Sequence, residues 1–141
     1  MAPRIAYRQP QVGGQGFSRT KKVLGGAFAL GAADLALAAQ TSIIKAPAGF
    51  VATGLYAAAT DMDTNGTPTL ALSIGDAGSL TRLLSSSTIG QDGASTSTIA
   101  TTGAYYAFTV DTDIIVSATV ASATAAAGTL TVYLEGFMGN P

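Results

Sequence analysis

The sequence predicts an all-β fold: a jelly-roll-like antiparallel β-sandwich with an extended N-terminal arm. Three observations lead there. Apolar residues alternate with polar ones in short segments, as in Leu70, Leu72 and Ile74 and again in Leu130, Val132 and Leu134. From residue 41 onward such segments recur at fairly regular spacing between turn signals. Five of the seven basic residues fall in the first 22 positions, which hold no acid. Period-two alternation marks half-buried strands, and many short strands between turns mark a sandwich, barrel or jelly roll.

The arm comes first. Residues 1–22 hold Pro3, Pro10, Gly13, Gly14 and Gly16 among basic residues, with few apolar anchors. Such a segment builds no core of its own and has to rest on a neighbouring subunit or a partner. Residues 23–40 are mixed: Ala and Leu favour helix, whereas Gly25, Gly26 and Gly31 oppose it. Extended structure running into Ser42-Ile43-Ile44-Lys45 is expected. The domain reading is therefore an arm and linker over 1–40 and a β-sandwich over 41–141.

Within the sandwich, Ala46-Pro47-Ala48-Gly49 is a turn signal. Residues 50–60 form a strand, with Phe50, Ala52, Gly54 and Tyr56 on one face. Residues 61–68 are a loop. The alternation around Leu70, Leu72 and Ile74 is a half-buried strand, and Gly75-Asp76-Ala77-Gly78 turns the chain. Another strand surrounds Arg82. Residues 85–103 are a long polar stretch. Strands over 105–110 and 113–120 flank Asp111-Thr112, and a small-residue loop leads to the last strand, with Leu130, Val132, Leu134 and Gly136 on one face.

Composition narrows the function. Charged residues make up 11%, against roughly 25% in an ordinary soluble domain. A surface with so little charge suits contact with copies of itself or with a lattice. There is no Cys and no His. Disulfides, thiolate nucleophiles and the commonest general base are therefore absent, and neither Lys45 nor the arm lysines sit in a recognisable Ser-Lys arrangement. No enzymatic activity and no cofactor are expected. Lys21-Lys22 and the run that follows imitate a secretory signal, but Asp34 interrupts the apolar stretch. The run is also too rich in Gly and Ala for a membrane span, so no membrane anchor is expected.

Asp61-Met62-Asp63-Thr64-Asn65-Gly66 matches the first half of a calcium loop. Asp61, Asp63 and Asn65 would supply the ligands, but the closing Glu position is Leu72. The same residues are what a tight loop selects, and the plain turn is the preferred reading. Asp111 and Asp113 lack a basic partner in sequence and read as a solvated turn. Gly13-Gly14-Gln15-Gly16 lacks the Lys of a phosphate loop and reads as linker.

The arm residues Arg4, Arg8, Arg19, Lys21 and Lys22 are the candidate partner-binding set. Beyond them the chain has two basic residues against eight acidic ones, a net charge of −6. An acidic body repels a polyanion, and only Tyr7 and Phe17 interleave with the arm's cations. A protein partner is therefore favoured over nucleic acid, held through Arg forks on carboxylates.

From Thr41 the chain resembles a group of small virion proteins of tailed bacteriophages, of the capsid decoration or cement kind. The resemblance lies in Thr41-Ser42-Ile43-Ile44-Lys45-Ala46-Pro47-Ala48-Gly49, Thr53-Gly54-Leu55-Tyr56, and Leu70-Ala71-Leu72-Ser73-Ile74-Gly75-Asp76. It continues in Asp111-Thr112-Asp113-Ile114-Ile115-Val116 and in Ala127-Gly128-Thr129-Leu130-Thr131-Val132-Tyr133-Leu134-Glu135. It covers residues 41–136 and implies a jelly-roll-like domain with no catalytic residues. It further implies self-association as a homotrimer and binding to the major capsid protein on the outer face of the capsid, after assembly in the host cytoplasm. The alternatives are another virion subunit of the same fold (tail, head-fibre or connector) and a carbohydrate- or cation-binding β module.

Overall fold

A computed structural model of the chain describes residues 21–139. Eight strands follow in order: β1 Lys22–Leu30, β2 Gln40–Ala46, β3 Phe50–Ala59, β4 Ala71–Asp76, β5 Ser79–Ser87, β6 Ser95–Thr96, β7 Thr112–Val120 and β8 Gly128–Met138. A short 3-10 turn, Ala32–Leu35, joins β1 to β2. One sheet has the order β1-β8-β3-β6 and the other β2-β7-β4-β5. All pairings are antiparallel. Consecutive strands thus alternate between sheets except across the β4–β5 hairpin, which is the strand order of an eight-stranded jelly roll.

The core fills the space between the sheets. Leu30, Phe50, Ala52, Leu55, Ala57, Leu130, Val132 and Leu134 enter from the first sheet. Leu72, Ile74, Leu83, Ile114, Val116 and Ala118 enter from the second. Leu35, Met62, Ile89 and Phe108 close the cluster from the connecting segments. The alternation in β8 follows the sequence reading: Leu130, Val132 and Leu134 are fully buried and Gly136 shares their face. A Cβ at Gly136 would collide with the Val51 carbonyl, so the neighbouring backbone comes too close for any side chain.

Four expectations need correction. The sandwich includes Lys22–Leu30, ahead of residue 41, because β1 pairs with β8 from Lys22↔Gly136 to Leu30↔Gly128. Its glycines, which obscure the pattern in sequence, permit this pairing. Gly25 has φ of +131° and a Cβ there would strike the Val132 carbonyl. In β3 a bulge between Ala52 and Gly54 shifts the register, so Leu55 turns inward and Tyr56 outward, on the face opposite Phe50. Residues 105–110 form no strand, since Tyr105 has φ of +60° and only the bridge Val51↔Ala107 forms. The segment still hydrogen-bonds the start of β3, through Tyr105 N–H to the Ala52 carbonyl (2.6 Å) and Phe108 N–H to the Phe50 carbonyl (2.8 Å).

β4 is buried on both faces rather than one. Leu72 and Ile74 face the core, while the small Ser73 and Gly75 lie under β5. Ser73 Oγ accepts the Ser86 N–H at 2.9 Å, and a Cβ on Gly75 would meet the Ser79 carbonyl.

Candidate interaction surface

Of the arm residues singled out in sequence, Arg4, Arg8 and Arg19 lie outside the described residues. Lys21 and Lys22 stand exposed at the entry to β1. Lys21 Nζ is 3.0 Å from the Glu135 carboxylate on β8. An exposed pair of this kind adds well under 1 kcal/mol, so it guides the chain's entry more than it stabilises the fold. The structure does not gather the other cations here: Lys45 pairs with Asp113 at 3.7 Å, and Arg82 with Asp76. Asp111, read as a solvated turn residue, accepts the Ala48 N–H at 2.9 Å and so joins the two loops at that end.

Glu135 also lines a groove of about 440 Å³ on the outer face of the first sheet, with Val23, Leu55, Tyr56, Ser97 and Tyr133. Tyr56 and Tyr133 are cross-strand partners on β3 and β8. Their rings lie 6.5 Å apart at 27°, and each residue is 40% exposed. Val23 on the flanking strand is 52% exposed. Tyrosines combine a large apolar ring with a polar tip, which suits a surface that binds in water. The sequence signal for Tyr133 is plain, because it sits between the inward Val132 and Leu134. Tyr56 escapes sequence reasoning, because the bulge that turns it outward leaves no clear mark in the residue pattern.

The calcium-like loop is a structural hub. Asp63 is buried, and its carboxylate accepts backbone N–H groups from Thr69 (2.8 Å), Leu70 (3.0 Å), Ala123 (2.9 Å) and Thr124 (2.9 Å). Burial alone would raise its pKa, but these N–H donors hold it well below the usual carboxylate range. Asp61 Oδ1 accepts the Asp63 N–H, and Asn65 Oδ1 accepts the Thr67 N–H. Both Asp63 oxygens, Asp61 Oδ1 and Asn65 Oδ1 are thus bound to protein donors, and a cation would have to displace them. Among the described residues no group of three or more acidic side chains is placed to hold a metal ion.

A second buried carboxylate works the same way. Asp76 accepts Gly78 N–H (2.8 Å), Ser79 N–H (3.0 Å) and the Arg82 guanidinium in a fork. Burial raises its pKa, but Arg82 and the turn amides outweigh this and lower it. Asp63 and Asp76 each anchor a loop. No described helix is long and apolar enough to cross a membrane.

No family model and no curated protein matches the chain. Solved structures do. A chain of the cyanophage Pam1 capsid asymmetric unit is 33% identical, with a TM-score of 0.78, over 97% of this chain and 98% of that one. The chain belongs to a bacteriophage capsid protein family. The match extends well beyond residues 41–136, where the sequence resemblance lies. A chain of the Ralstonia phage GP4 capsid (21% identity, TM-score 0.69, 95% of this chain and 91% of that one) has the same fold. So does a chain of the Helicobacter pylori bacteriophage KHP30 capsid (11%, 0.62, 85% and 89%). This phage capsid protein is a structural component of the virion, which accords with the anchoring roles of its buried carboxylates.

Proposed function

We propose that this protein is a capsid decoration, or cement, subunit that binds and stabilises the lattice of the major capsid protein. The supporting observation is the end-to-end match, at 33% identity, to a chain of a capsid asymmetric unit. The chain's own chemistry fits the role. Its sandwich carries little charge, its first-sheet face presents two exposed tyrosines, and its basic segment leads into an otherwise acidic body. Arg4, Arg8, Arg19, Lys21 and Lys22 meet acidic groups of the major capsid protein, and copies of the sandwich associate as a homotrimer about a lattice symmetry axis on the outer face of the shell.

Co-sedimentation with capsids lacking this protein tests the reading. The full chain should pellet with the capsids and raise their melting temperature. A chain with the five basic residues changed to Glu should stay in the supernatant. Full-strength binding by that variant would remove the arm from the interface. Failure of the unaltered chain to bind would favour a tail, head-fibre or connector position.

A further inference from the structure

Four strands lie at the edges of the two sheets, and three of them are guarded. The outer side of β5 is bonded by the chain's own connecting segment, through Ala100 N–H to the Leu83 carbonyl (2.8 Å) and Thr102 Oγ1 to the Arg82 carbonyl (2.8 Å). β6 is two residues long. β2 is interrupted by a register shift between Ser42 and Ile44 and carries Lys45. β1 has no such protection. It runs nine residues in unbroken register with β8, holds no proline, and has one charge, Lys22, at its end. Among the described residues no strand pairs with its other side. A long apolar edge without charge, proline or bulge is a template for another strand. Beside it Leu24 and Phe28 of β1, and Ile43 and Ile44 of β2, pack on the core but stay partly exposed.

We infer that β1 pairs antiparallel with β1 of a second copy, across a two-fold axis at Gly26. The strand's own sequence selects that register. Leu24 comes opposite the second copy's Phe28 on each side of the axis, so the partly exposed core side chains cover one another. Gly26 meets Gly26, and no side chain obstructs the axis. Lys22 comes opposite Leu30, beside the turn in which the Asp34 carboxylate caps Gly31. Of the described cations, Lys21, Lys45 and Arg82 have ion pairs and Lys22 has none. The strand's basic end thus meets the second copy's acidic turn, twice per pair. A shift of two residues either way would set Phe28 against Gly26 or against Lys22 and lose this match. Nine residues of edge span about 30 Å, less than a free-standing dimer needs, so the contact acts between copies that a lattice already holds side by side. Being two-fold, it joins neighbouring trimers and is distinct from the three-fold association proposed above. Its place on the shell rests on the decoration reading; the pairing itself does not.

The chain has no cysteine, and a Cβ at Gly26 would meet nothing within 4 Å. Gly26→Cys therefore sets one thiol opposite its own copy, with about 5 Å between Cβ atoms. Ala29→Cys, on the same strand, leaves roughly 20 Å between its copies. The full-length free protein, concentrated and oxidised, would be run on non-reducing gels, with circular dichroism to confirm that each variant keeps the sandwich. G26C should give several times more covalent dimer than A29C. Adding Lys22→Glu to G26C should lower that yield several-fold, and Lys22→Arg should keep it. Equal yields from G26C and A29C, or a G26C yield unmoved by Lys22→Glu, would overturn the pairing. Because no capsid is present, such a failure is separable from a failure of capsid binding in co-sedimentation.

Discussion

The Arg82 guanidinium is clamped between the Asp76 carboxylate and the face of Tyr106, 3.9 Å from the ring centroid. Tyr106 meets Phe108 edge-on at 5.0 Å, and Phe108 stacks on Phe50 at 6.4 Å. One chain of contacts thus ties the β4–β5 turn, the irregular 99–110 segment and the start of β3. Removing Arg82 strands a carboxylate that is 7% exposed. Arg82→Ala should cost about 3 kcal/mol in urea unfolding. Arg82→Lys should recover part of that, since it keeps the charge but loses the fork and the stacking. A lysine variant as stable as the parent would show that charge alone suffices.

Asp63 and Asp76 both have pKa values lowered by folding. Such groups contribute fully above the unfolded carboxylate value of about 4, and the contribution is lost as pH falls toward the folded value. The chain has no His, the side chain whose ordinary value falls between about pH 5 and 8. Melting temperature should therefore be level over that window and fall below about pH 4. Melts across a pH series check this, and a step near pH 6.5 would contradict it.

The Asp63 hub makes a separate prediction. Asp63→Ala releases five backbone N–H groups from two loops, whereas Asp61→Ala releases one. The first should lower the melting temperature far more than the second. Neither millimolar calcium nor a chelator should move the melting temperature of the parent chain, because its carboxylates are already occupied. A chelator-sensitive melt would restore the cation reading.

The boundary of the folded body is testable by truncation. Removing residues 1–20 should leave a cooperatively folding sandwich. Removing residues 1–30 strips β1 and exposes the β8 edge, where Leu134 and Val132 are fully buried. That product should aggregate or fail to melt cooperatively. Circular dichroism and size-exclusion chromatography distinguish the two, and a well-folded product from the longer deletion would return the boundary to residue 41.

What the sequence reveals follows physical lines. β8 and β7 can be read directly, because apolar residues alternate or run without a break in them. β1 is hidden, since its inward positions include Gly26 and its closest approach to β8 needs Gly25. Residue type says little about a strand whose requirement is the absence of a side chain. Tyr56 is misplaced by a single bulge, because one extra residue reverses every later orientation. The loop at Asp61–Gly66 looks like a ligand set because carboxylates that bind cations and carboxylates that bind amides are the same residues. Only the positions of the more distant donors to Asp63, six to sixty-one residues away in the chain, separate the two readings.

The most direct measurement is a residue-resolution reconstruction of the virion that carries this chain. The expected density is an eight-stranded jelly roll seated on the outer face of the shell about a lattice axis, with the outer face of β1-β8-β3-β6 and the N-terminal segment against the major capsid protein. Density for the chain in the tail or connector, or on the shell with the β2-β7-β4-β5 sheet facing the lattice, would contradict it.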